Sequence, residues 1–177
     1  REGAIGPALA LKSMLDAEVT HTIICGDNYM GSNTDDAVNE ILGFLEDKEF
    51  DIFIAGPAFQ AGRYGVACGS ICKAVKEKFN VPVLTSMNEE NPGVEMFKKE
   101  MYIFKGGKSA AKLKDDVKVI SNFANKLLNN EQTGSADEEG FFPRGIRAQV
   151  WLESGKTGAE RGVEMLIKKL KGIPFVS

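Results

Sequence analysis

The sequence predicts an α/β protein: a mainly parallel sheet with helices on both faces. Two patterns lead there. Short apolar runs alternate with longer stretches whose apolar residues recur every three or four positions, as strands alternating with helices do. One run, Ile52-Phe53-Ile54-Ala55, is apolar throughout, which suits a strand covered on both sides.

In chain order, Ala8 to Leu15 reads as a short helix and Val19 to Cys25 as a strand, closed by a turn at Gly26-Asp27-Asn28. Ser32, Asn33 and Thr34 are N-cap residues, and Asp35 and Asp36 suit the first turn of the helix they open. Its core stripe is Val38, Ile41, Leu42 and Leu45. The strand at Ile52 to Ala55 is broken by Gly56-Pro57. A loop then runs to Gly62-Arg63, where a second helix begins. That helix carries the stripe Cys68, Ile71, Cys72, Val75 and Phe79, and its Gly65, Ala67 and Gly69 would let it lie close to the sheet. Val81 to Thr85 is the next strand, with Pro82 near its start. A polar loop from Met87 to Gly93 leads to a helical turn at Glu95 to Lys99 and a strand at Tyr102-Ile103-Phe104. A long helix follows over Ala111 to Asn129, and Gln132 to Gly140 reads as an exposed loop. Ile146 to Leu152 is expected as an edge strand. Gly158 to Lys171 is expected as a helix with Val163, Leu166, Ile167 and Leu170 facing inward. Strands and helices alternating at this spacing imply βαβ units with right-handed crossovers. The predicted fold is therefore three-layered and flavodoxin- or Rossmann-like.

The 177 residues are expected to form a single α/β domain. A start at Arg1 and an end on the apolar stretch Ile173 to Ser177 read as a fragment of a longer subunit. A net charge of -3 argues against nucleic acid as a partner, because phosphate binding needs a basic surface. No apolar run approaches the roughly 20 residues that span a bilayer, so no membrane association is expected. Three cysteines in apolar segments, an odd number, do not form a disulfide framework. They suit a reducing, cytoplasmic setting. One histidine, His21, and no CxxC spacing leave no metal site expected. Gly106-Gly107-Lys108-Ser109 ends like a P-loop but lacks its first glycine, so a nucleotide site has little support.

Chemistry is expected in the loops after the strands: Cys25 to Asn28, Gly56 to Arg63, Met87 to Gly93, and Lys105 to Lys108. Arg63, at a helix start, adds its charge to the positive end of the macrodipole, and together they would attract an anion such as a substrate carboxylate. The competing reading is an ion pair with Asp27, Glu89 or Glu90. Asp27, Asn28, Tyr64, Glu90 and Asn91 complete the candidate binding set. Tyr29, Phe59 and Tyr64 would permit an aromatic cage for a quaternary ammonium. Cys25 and Cys68 are the candidate nucleophiles. Cys68 lies near a helix N-terminus, which lowers a thiol pKa, yet its stripe points to the core. Ile23-Ile24 before Cys25 likewise suggest burial. Phe141-Phe142-Pro143, bracketed by Glu138-Glu139 and by Arg144 and Arg147, would either dock a partner subunit or fold back on the domain.

Four pieces of the chain resemble one family in the same order. They are AGPAFQAGRYGVACGSICKAVKE from Ala55, ENPGVEMFKKE from Glu90, EEGFFPRGIR from Glu138 and RGVEMLIKKLKG from Arg161. They resemble the amino-terminal region of the large selenoprotein subunit of component B in the glycine, sarcosine and betaine reductases. The resemblance implies an oxidoreductase subunit for the reductive deamination of glycine or an N-methylated glycine, through a selenoether to acetyl phosphate, in the amino-acid fermentation of anaerobes. It implies a pyruvoyl-containing sister subunit and the small selenoprotein component A as partners. No cofactor is expected in this chain: the pyruvoyl group and the selenocysteine are implied elsewhere in the complex, and no catalytic residue of the family maps onto these positions. Arg63 would then hold the substrate carboxylate, with Asp27 or Glu90 near the amine. The alternative is a non-catalytic α/β scaffold or small-molecule-binding module.

Overall fold

The computed structural model describes residues 1–145 and 155–174. The chain divides into two compact units, Arg1–Gly145 and Ile146–Ser177.

The first unit is built on a three-stranded parallel sheet in the order β1 (Phe53–Phe59), β2 (Val83–Met87), β3 (Tyr102–Lys105). Its helices are α1 (Pro7–Lys12), α2 (Asp27–Ser32), α3 (Thr34–Leu45), α4 (Gly62–Phe79), α5 (Pro92–Phe97), α6 (Leu113–Leu128) and the short α7 (Ala136–Glu139). Successive strand side chains point to opposite faces, and here they enter two different cores. Val83 and Ile103 join Cys68, Ile71, Cys72 and Val75 of α4 and Ile41 and Leu45 of α3. Leu84 and Phe104 join Val117, Ile120 and Phe123 of α6 and Leu11 of α1. β2, the central strand, is buried at all five residues. The apolar stripes of α3 and α4 are thus core stripes, as their spacing predicts.

Four expectations need correction. Val19 to Cys25 is not a strand of the sheet. It makes one isolated antiparallel bridge, His21 to Glu2, flanked by Gly3 N–H to Thr20 O at 2.7 Å and Thr22 N–H to Arg1 O at 2.8 Å. Apolar alternation marks a segment that can pair, but pairing needs a neighbour. Second, Gly56-Pro57 does not break β1, which continues to Phe59. Gly56 takes φ +93, and a register irregularity between Ala55 and Phe59 absorbs the proline. Third, Gly65 and Gly69 do not serve contact with the sheet. A Cβ on Gly65 would lie 2.1 Å from the Asn91 side chain, and one on Gly69 would lie 2.1 Å from the Phe97 ring. They make room for α5 and the turn before it. Fourth, residues 136–139 of the expected loop are helical, opened by a capping box between Ser135 and Glu138.

Phe141 folds back on the unit, packing against Tyr102, Phe104 and Phe123. Phe142 N–H donates to Ile103 O at 2.8 Å. Arg144 stacks its guanidinium over Tyr102. Arg147 and the expected strand at Ile146 to Leu152 lie outside the described residues.

In the second unit the described residues form α8 (Gly158–Leu170), opened by a Thr157–Glu160 capping box. Its stripe is periodic as predicted but does not face inward. Val163 and Leu166 are each 57% exposed, Ile167 44% and Leu170 78%. Periodicity defines an apolar face, whereas burying it takes a second surface. Among the described residues no helix is long and apolar enough to cross a membrane, and no cluster of His, Cys, Asp and Glu could hold a metal ion.

Candidate functional site

Among the described residues three loops, not four, follow sheet strands, and hydrogen bonds knit them together at the carboxyl end. Asn88 N–H donates to Phe59 O at 3.0 Å, and Gly106 N–H donates to Met87 O at 2.8 Å. Asn91 holds the first two loops. Its Nδ2 donates to Phe59 O at 3.0 Å and to Ala61 O at 3.1 Å, while its Oδ1 accepts from Gly93 N–H at 3.0 Å. Phe59 itself sits at φ +52, an uncommon conformation for a side chain of its size. The two donors on its carbonyl keep it there.

The six candidate binding residues do not converge on one point. Arg63, on the first turn of α4, is exposed, with 72% of its side chain accessible. Its Nε lies 3.9 Å from Asp27 Oδ2, at the start of α2. An exposed pair at that distance contributes at most about 1 kcal/mol, so the guanidinium is not locked. Ala61 caps α4 without a side-chain acceptor, which leaves the first amides of the helix uncapped from that source. Arg63 and Asn28 line one cleft of about 590 Å³ between α2 and α4, with Ser32, Thr34 and Ser70.

Glu90 lies on the β2 loop and is engaged elsewhere. It accepts from Gln60 Nε2, and Lys108 Nζ approaches it at 3.4 Å. Asn91 is 2% exposed and fully hydrogen-bonded, so it shapes the rim from within. Tyr64, half-buried, turns toward Cys68; burial, then the Cys68 charge and hydrogen bond, push its phenol well up. Tyr29 is held apart by its hydroxyl, which donates to Glu40 at 2.9 Å.

Of the two cysteines, Cys68 lies where its stripe places it and Cys25 does not. Cys25 is exposed, as is Ile24 at 71%. Without a strand at 19–25 in the sheet, nothing draws these side chains inward. Cys68 is 3% exposed, and burial pushes its thiol up to about 12, with the Tyr64 hydrogen bond only partly opposing. At neutral pH it is a protonated core thiol, as its helical stripe implies.

Two residues at this rim carry no sequence signal. Asp116 is buried in the first turn of α6 and accepts from Gly107 N–H at 3.0 and 3.1 Å. Burial pushes its carboxyl up, against the Gly107 hydrogen bond. A Cβ on Gly107 would meet Lys112 at 2.3 Å, so the turn, Asp116 and the helix start fit as one piece. Gln60 is the other, bridging to Glu90. In the sequence both look like ordinary solvated polar residues.

A parallel sheet with crossover helices, and a rim carrying a loosely held guanidinium beside a cleft of mixed polar and apolar lining, defines an α/β protein. The chain belongs to the glycine/sarcosine/betaine reductase selenoprotein B family (GRDB), whose model matches residues 1–177. It is 63% identical over 174 residues to the betaine reductase complex component B subunit beta of Peptoclostridium acidaminophilum, covering 98% of this chain and 40% of that protein. It is 47% identical over 177 residues to the sarcosine reductase complex component B subunit beta of the same organism, covering 99% and 40%. It is 41% identical over 179 residues to the glycine reductase complex component B subunit gamma of Carboxydothermus hydrogenoformans, covering 100% and 41%. The relatives are thus beta and gamma subunits of such complexes, and the chain spans about two-fifths of their length. No solved structure matches it.

Proposed function

We propose that residues 1–177 belong to the large selenoprotein subunit of a component B and supply part of its substrate pocket. The observation that carries this is Arg63: an exposed cation at an uncapped helix start, loosely balanced by Asp27. An amino acid or N-methylated glycine presents a carboxylate and an amine at short separation. Arg63 takes the carboxylate, with the α4 amides reinforcing the field. Asp27 faces the amine. Glu90, committed to Gln60 and Lys108, sets the far side of the rim.

The family's selenocysteine and pyruvoyl group supply the bond-making chemistry, uptake of the carboxymethyl group and engagement of the amine. The 177 residues include no selenocysteine, and Cys68, protonated in the core, is no substitute. In this reading the chain binds and orients, and its sister pyruvoyl subunit and component A complete the reaction in the cytoplasm. The two cores on opposite sides of the sheet support a three-layer, flavodoxin- or Rossmann-like architecture.

Calorimetric titration of the full-length subunit with glycine, sarcosine and betaine tests the pocket. Arg63→Ala should weaken the bound ligand by at least about tenfold, the loss of one charge-assisted contact of roughly 1.5–3 kcal/mol. Unchanged affinity would exclude Arg63 from the site. A second reading, a non-catalytic scaffold, draws on the exposed apolar stripe of α8. It predicts no response to any of the three ligands.

A further inference from the structure

The sheet is open on one side. β1 pairs only with β2 among the described residues. Phe53 N–H donates to Pro82 O at 3.0 Å, so the backbone groups of Phe53 point toward β2. Alternation then turns those of Ile52 and Ile54 the other way, to the free edge.

Across from that edge runs the 19–25 segment. Thr20 O and Thr22 N–H are paired with residues 1–3. By the same alternation, the backbone groups of His21 and Ile23 point away from that pairing. His21, Ile23, Ile52 and Ile54 all line one cavity of about 520 Å³. Two extended segments therefore face the same space, each with backbone groups that no described neighbour satisfies.

The walls are apolar above and below. Leu11 and Leu15 close one face, and Met30, Ile41, Leu45 and Ile71 the other. These are members of the two cores that cover the paired part of the sheet. The cavity thus continues both core layers past β1, with no strand between them. A strand lying there would be buried on both faces and would be apolar at consecutive positions, not alternating ones. The lining also includes polar side chains, Glu18, Asp27, Lys48, Glu49 and Asp51 among them, but two facing rows of unpaired backbone groups are what a strand satisfies.

We infer that a β-strand from the part of the full-length subunit outside residues 1–177 adds to the free edge of β1 and fills this cavity, pairing with the 19–25 segment on its other side. The occupant is assigned to the same polypeptide because the matched region is 40% of the relatives' length, which leaves about three-fifths beyond it. The fit demands a run of roughly five uncharged, β-branched or aromatic residues. Pairing of this edge does not depend on what Arg63 binds. It would also make 19–25 the strand that its composition predicts.

Residue-resolved hydrogen exchange on the purified full-length subunit tests this, with an internal control. Phe53 and Ala55 report the edge facing β2, and Ile52 and Ile54 the other. If a strand is added, the four amides exchange within about tenfold of one another. If the edge is open, Ile52 and Ile54 exchange at least about 100-fold faster, and the inference fails. A photo-crosslinker in place of Ile52 identifies the occupant. An adduct to a peptide of the same subunit outside residues 1–177 supports the assignment. An adduct within 1–177, to a second copy or to another protein overturns it, as does protection that disappears on dilution to the monomer or appears only with an added apolar small molecule.

Discussion

β2 and β1 both open on apolar residues but have different surroundings. Val83-Leu84-Thr85-Ser86-Met87 is buried at every position, polar residues included. Phe53 to Gly56, just as apolar, is only half-buried. The difference lies in the neighbours: β2 has a strand on each side and a helix on each face, while β1 among the described residues has a strand on one side alone. A strand's burial is set jointly by the layers above and below it and by its pairing within the sheet.

The largest test of this contrast is truncation on each side. Phe104→Ala, in the aromatic group with Phe123 and Phe141, should cost about 3–5 kcal/mol in denaturant unfolding. Ile54→Ala at the free edge should cost about 1–2 kcal/mol in the isolated 177-residue chain, because a half-buried side chain gives up less burial and can be re-solvated. Equal costs would mean that the edge is as tightly enclosed as the centre.

The rim offers a second contrast, between residues that hold the turns and residues that face solvent. Asn91→Ala leaves Phe59 O and Ala61 O without a donor and Gly93 N–H without an acceptor. A loss of about 2–4 kcal/mol is expected. Gly65→Ala should lose about 1–3 kcal/mol by driving a methyl into the same asparagine. If Gly65→Ala costs as much in the Asn91→Ala background as in the parent, the steric account is wrong.

A smaller effect separates two carboxylates shifted in opposite directions. Lys126 and the Gly134 N–H hold the Glu139 carboxyl below its ordinary value. A depressed acid contributes stability that is complete above its unfolded pKa of about 4.3 and is lost as pH falls through the folded value. Glu139→Gln should therefore lower Tm at pH 7, with the gap to the parent closing toward pH 3. Asp116 has the opposite sign, because burial raises it. Its ionisation opposes folding, so its contribution favours the folded state at low pH and weakens as pH rises through the range above its unfolded value. The smallest effect belongs to Arg63→Ala, whose pair with Asp27 is long and exposed. Its Tm should move by no more than about 1–2 °C, well under 1 kcal/mol, which makes it a clean probe of binding.

How much of this was legible beforehand divides along physical lines. The stripes of α3, α4 and α6 were readable because helical periodicity is local and most of a helix's stability comes from the face it buries. Cys68 as a core thiol follows from the same stripe. The four motifs and their order were enough to indicate the family. The rim was less legible. Arg63 could be placed at a helix start, and its nearness to Asp27 suspected. Nothing local marks Asn91 as the side chain that Gly65 makes room for, or Asp116 as the carboxylate that holds Gly107, because both roles depend on residues far along the chain.

The sequence by itself settled which segments are apolar, at what period, and where glycine, proline and capping residues punctuate them, since those are properties of neighbouring residues. Tertiary structure alone decided which apolar faces found a partner. Ile41 and Leu45 of α3 are buried, whereas Leu166 and Leu170 of α8, with the same spacing, are exposed. Leu84 has a partner on each side, Ile54 and Tyr102, whereas Ile54 among the described residues has one, Leu84. Burial and strand pairing are relations between distant parts of a chain, and local pattern records only the capacity for them.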